Sequence, residues 1–314
     1  LRAACAAVLV LSTITVLAQQ RATPIVGFLE DIPSASQPVA PGKEPTLEPH
    51  VRVAFAKTER GWQRACMYSQ GEQEGPECVD LGLIRKVSWE VAHRGKRLGA
   101  VETDGWYDAR YFRTLGVLKR VSAAPPRVGA ADRRFASWLA RAAHRPLVAL
   151  RGAKPDWPRS WSEVNAAAAD MEGVLGLFRR AFPKLPDCKS AEGAGTGAIE
   201  RNHLAVIGSL RGADGTRLIG VRLDPKLTEG CDGPLGLEWS DLWFLGPPGK
   251  PPAPLSVEIE NDLAPFRMAL LDLGDYDGDG KAEALFWFSS HNVEGYFLYY
   301  EAFKDHVRFA WKYQ

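Results

Sequence analysis

This 314-residue chain has no excess of charge of either sign: 39 Lys and Arg stand against 38 Asp and Glu, a formal net charge of +1. Nucleic acid and anionic membrane surfaces both select a strong basic surplus, so neither is expected as an obligatory partner. Histidine is scarce. His50, His93, His144, His203, His291 and His306 include no His-Glu-x-x-His and no other short metal pair, so each reads as a surface or core residue. A Gly-x-Ser-x-Gly elbow is missing as well. Gly193-Ala194-Gly195-Thr196-Gly197 lacks the lysine of a phosphate loop and reads as a flexible loop beside Cys188. After the N-terminus, no apolar stretch reaches the roughly 20 residues that a membrane span needs.

What the chain does have begins at its first residues. Arg2, the apolar stretch Ala3–Leu17 and the small residues around Ala18 make a secretory signal over 1–18, with the cut before Gln19. Ser12, Thr13 and Thr15 argue against a membrane anchor. The mature protein is therefore expected to be periplasmic or secreted, without a membrane span. Once Cys5 is removed, Cys66, Cys78, Cys188 and Cys231 remain, an even count that suits disulfides in an oxidising compartment. Three connectivities are open. Cys66–Cys78 with Cys188–Cys231 is preferred, because each pair closes a loop within one region. The spacings match no zinc motif.

Thirty glycines and 22 prolines favour turns and strands over a helical bundle. Six prolines between 19 and 49 suggest an extended arm without a core. Residues 50–130 read as a β-rich region: Val51, Val53 and Phe55 alternate with polar residues, and Val87, Trp89 and Val91 lead through Arg94-Gly95 into Leu98–Val101 as a hairpin. A helical connection is expected over 131–185. One apolar stripe runs through Phe135, Trp138, Leu139 and Ala142, and a second from Met171 to Phe182 before Pro183. Residues 186–314 return to strands, with a hairpin about Ala213-Asp214-Gly215 and four strands after Arg267. The expected class is α+β, predominantly antiparallel β with a few helices between about 130 and 183, and a C-terminal β-domain.

The most specific chemistry lies at Asp275-Tyr276-Asp277-Gly278-Asp279-Gly280-Lys281-Ala282-Glu283. Carboxylates occupy positions 1, 3, 5 and 9, and Gly280 at position 6 permits the turn that aims the Lys281 carbonyl inward. Calcium takes six to eight such oxygens, and magnesium demands a stricter octahedron. Phe286 stands where an EF-hand places its bidentate glutamate, and the β-forming flanks point to a strand–loop–strand setting.

Residues 272–288 resemble an FG-GAP or VCBS-type repeat, the calcium-loop unit of integrin-like propellers. The resemblance implies that Asp275, Asp277, Asp279, Glu283 and the Lys281 carbonyl bind calcium. Position 9 of that family is usually Asp, so the longer Glu283 departs from the pattern. A single copy is present, whereas a propeller needs several. In function, these features suggest a non-catalytic, calcium-stabilised binding module for a protein or glycan ligand. The alternative is a secreted glycan-directed hydrolase using an unidentified carboxylate pair. Trp239, Trp243, Trp287, Tyr296 and Tyr299 read as strand packing first and as sugar-stacking surfaces second.

Overall fold

The computed structural model describes residues 23–33, 43, 46–66, 78–81, 86–107, 117–121, 124–132, 135, 144–153, 161–181, 197–224, 241–255, 267–290 and 293–312. Their architecture is mostly antiparallel β with a single α-helix. Strands β1 (Ile25–Pro33), β2 (Leu47–Thr58), β3 (Gly61–Ala65), β4 (Cys78–Val79), β5 (Val87–His93), β6 (Lys96–Tyr107), β7 (Val117–Val121) and β8 (Leu147–Arg151) form the first sheet. The hydrogen-bonded order is β1-β8-β5-β6-β7-β2-β3-β4, and β1 also pairs with β2. That extra pairing closes six strands into a barrel, with β3 and β4 as an extension. Cys66, just after β3, is disulfide-bonded to Cys78 of β4. Cys188 and Cys231 lie outside the described residues, as does the expected signal at 1–18.

Register separates the two faces of the barrel wall. Leu29 lies opposite Val51 and Leu147, and Ala149 opposite Val91. By alternation these residues share the interior with Trp89, whose indole donates to the Thr103 hydroxyl at 3.1 Å. Phe28, Arg52 and Val148 fall on the outer face.

The remaining strands make two further sheets. β9 (Trp161–Glu163), β10 (Leu204–Gly212), β11 (Arg217–Leu223), β12 (Leu242–Gly246) and β13 (Ala253–Pro254) form one in the order β13-β12-β11-β10-β9. β14 (Arg267–Gly274), β15 (Glu283–Ser290), β16 (Val293–Tyr300) and β17 (Asp305–Lys312) form a meander. Leu271, Leu285, Trp287, Tyr296 and Trp311 of the meander share a core with the barrel. Its other side, Met268, Phe286, Phe288 and Phe297, packs against Leu210, Leu218 and Trp243 of the five-stranded sheet. On the far side of that sheet lies α1 (Ala168–Ala181), through Met171, Val174, Leu175 and Phe178. The layers therefore run barrel, meander, five-stranded sheet, helix. The unbroken apolar run Ala284–Phe288 follows from this arrangement, because a strand covered on both faces has no solvent side.

Three expectations change. The arm over 19–49 holds a core strand: Ile25, Val26, Phe28 and Leu29 are buried, and β1 supplies the closing pairings of the barrel. The connection over 131–185 contributes two strands, because Leu147-Val148-Ala149-Leu150 is a fully buried run that completes the barrel and Trp161–Glu163 edges the five-stranded sheet. Of the stripe that begins at Phe135, only that residue is described, and it packs against Trp287. Nor does the region from 186 onward stand apart as a domain, since the meander's core is shared with the barrel.

Candidate metal centre

β14 and β15 pair from Arg267↔Ser289 to Gly274↔Glu283, with a shift of register between Leu270 and Asp272, so the acidic loop is the connection at one end of an antiparallel ladder. The loop folds on its own carboxylates. Asp275 accepts the Gly278 amide at 2.7 Å and the Gly280 amide at 3.0 Å. Asp277 accepts the Asp279 amide at 3.1 Å, and Asp279 accepts the Lys281 amide at 2.7 Å. Gly278 and Gly280 sit at φ of 78° and 87°, in the left-handed region that glycine enters without steric cost.

Ligand-type oxygens of Asp275, Asp277 and Glu283 lie within 4.8 Å of one another, the one such group of acids among the described residues. Asp279 falls outside it. The Asp279 carboxylate turns toward Lys281, whose ammonium lies 3.6 Å away and also meets Glu301. Glu283 is buried, and its Oε2 accepts the Tyr276 amide at 2.7 Å. Burial pushes its carboxyl up to about 8, against the pull of the Tyr276 amide, and the charges of Asp277, Asp279 and Asp275 push in the same direction as burial. The donors are all hard oxygens, a set that suits calcium-class cations rather than soft metals.

Two neighbours escaped sequence reasoning. Lys57, near the end of β2, places its ammonium against Asp277, whose side chain is almost wholly buried. No local pattern signals a partner so distant in the chain. Asp272, on β14, is buried beside Tyr276, and neither its oxygens nor the Tyr276 hydroxyl has a well-formed side-chain hydrogen bond. Burial pushes Asp272 up to about 6, opposed by the Leu273 amide, the Tyr276 hydroxyl, the Gly95 amide and the Arg145 guanidinium.

The aromatic residues divide clearly. Trp243, Trp287, Tyr296 and Tyr299 are buried in the layered core and offer no sugar-stacking surface, while Trp239 lies outside the described residues. Among the histidines, His144 bonds Asp31 at 2.6 Å, His203 accepts the Glu200 amide, and His306 stacks on Tyr299. No helix among the described residues is long and apolar enough to cross a membrane. No protein-family model matches the chain, and no curated protein or solved structure matches it.

Proposed function

We propose that this chain is an exported, non-catalytic binding module in which a calcium ion at Asp275–Glu283 clips the loop joining β14 to β15. The observation that carries the reading is the convergence of Asp275, Asp277 and Glu283 on one point beside β2. Three carboxylates so close repel one another, and a divalent cation removes that repulsion. Asp279 and the Lys281 carbonyl complete the ligand set, with water filling the remaining positions. The export part rests on the signal-like stretch before Gln19 and on the even cysteine count of the mature chain. In an extracytoplasmic setting calcium is abundant, so the ion acts as a structural staple, and its binding energy becomes folding energy.

The test is thermal unfolding of the protein in excess calcium and then in chelator. Preferential binding to the folded state raises the midpoint by several degrees in calcium, and Asp277→Ala combined with Asp279→Ala abolishes the rise. An unchanged midpoint in the parent protein would sink the proposal.

A further inference from the structure

A cleft of about 570 Å³ opens where the β5–β6 turn, the five-stranded sheet and β14 meet. That size is typical of small-molecule sites. Three guanidinium groups (Arg94, Arg145 and Arg222) and two carboxylates (Glu163 and Asp241) line it. The two ion pairs are not equivalent. Arg222 grips Asp241 through two donors at 2.5 and 2.8 Å, and that carboxylate is 5% exposed. A bidentate pair of this kind holds its geometry. Arg94 meets Glu163 through one 2.6 Å contact, with the side chains 54% and 63% exposed. Such a surface pair contributes little to stability, so an incoming anion takes Arg94 from Glu163 at small cost.

The lining charge leaves one positive in excess, which favours a monoanion over a dianion. His93, half-buried just before the turn, senses the same positive field: burial pushes it down to about 4, and the guanidinium groups of Arg145 and Arg94 add to the effect. The cleft also has a smaller apolar part, to which the half-buried Ile207 and Leu270 contribute. Val164, one of the few large apolar side chains exposed among the described residues, also lines the cleft.

We infer that this cleft binds a small organic carboxylate with an apolar body. The carboxylate meets Arg94, and the apolar body lies along Val164, Ile207 and Leu270. The inference gives the binding module proposed above a ligand class and rests on that reading for its role. The cleft shares no residue with the acidic loop.

The experiment is calorimetric titration of the full chain with a series of phenylalkanoates of increasing length, each matched by its uncharged primary amide. The expected result is an acid that binds at least about tenfold more tightly than its amide. Arg94→Asn should erase that preference with the melting midpoint unchanged, because Asn tolerates the φ of 49° that Arg94 adopts. Equal binding of acid and amide, no binding of any acid at millimolar concentration, or an R94N variant that keeps the preference would each overturn the inference. A calcium-stabilised protein that ignores every acid overturns only the cleft. Acid binding in a protein indifferent to calcium overturns only the loop.

Discussion

The ammonium of Lys57 lies 2.5 Å from Oδ2 of Asp277, across 220 positions of sequence. The other oxygen of Asp277 already accepts the Asp279 amide, so both are engaged. Burial pulls Lys57 down, but its bond to Asp277 and the charges of Asp277, Glu283 and Asp279 outweigh that and hold it above its ordinary value. Lys57 thus serves as a tethered monovalent cation at the rim of the acidic loop.

Replacing Lys57 with Met should separate the two ways of neutralising the loop. In chelator, K57M leaves Asp277 buried without its partner, at a cost of about 1–3 kcal/mol. With calcium present the ion takes over, so the stabilisation by calcium should exceed that of the parent protein. Urea unfolding of both proteins in both buffers measures the difference, and an equal calcium increment would argue against competition.

A pH dependence follows from two buried acids. Glu283 sits at about 8 against an ordinary 4.5, and Asp272 at about 6 against 3.8. Between those limits the folded state holds protons that the unfolded chain has released. Their contribution to stability is fully present below about pH 4 and is lost as pH rises through 6 and then 8. Denaturation midpoints in chelator should therefore show this loss toward pH 8.5, and calcium should flatten the part owed to Glu283.

Glu30 joins the barrel to the meander. Its carboxylate takes Arg52 at 2.7 and 3.0 Å and the Tyr296 hydroxyl at 2.6 Å, and Arg52 lies over the Trp311 ring at 3.8 Å. Glu30→Ala removes the two-point carboxylate partner of a buried guanidinium and should cost about 3–5 kcal/mol. Adding Arg52→Met should recover much of that loss in the same unfolding assay.

The β16–β17 turn carries strain. Glu301, Ala302 and Phe303 are consecutive non-glycine residues at φ of 49°, 55° and 66°. Ala302→Gly relieves one of these penalties and should stabilise the protein by up to about 1 kcal/mol. A lower melting midpoint in A302G would contradict this account.

The sequence made the local partnerships legible. The turn Arg94-Gly95 joins β5 to β6, and Ala213-Asp214-Gly215 lies between β10 and β11, where alternation and turn residues agree. The acidic loop stands between two strands, as its flanks suggest, and three of its four carboxylates converge. Non-local structure was not legible. The prolines around Ile25–Pro33 hid a buried apolar run, and the closure of β1 on both β2 and β8 depends on partners that no window of sequence contains. The alternation at Val51, Val53 and Phe55 suggested a half-buried strand. In fact His50–Ala56 is buried throughout, because the meander covers the barrel's outer face there. Lys57 and the arginine-lined cleft were hidden for the same reason.

The meander lies between the barrel and the five-stranded sheet, yet it comes last of the described segments along the chain. During synthesis both flanking layers are made before the slab that covers them. Until Arg267–Lys312 is available, Phe28, Arg52 and Val148 face water on one side, and Leu210 and Leu218 on the other. Contacts that span so much of the chain make assembly slow and leave incomplete intermediates adhesive. The order of layers therefore postpones consolidation until Arg267–Lys312 has been made, and the two earlier layers stay loose until these strands dock.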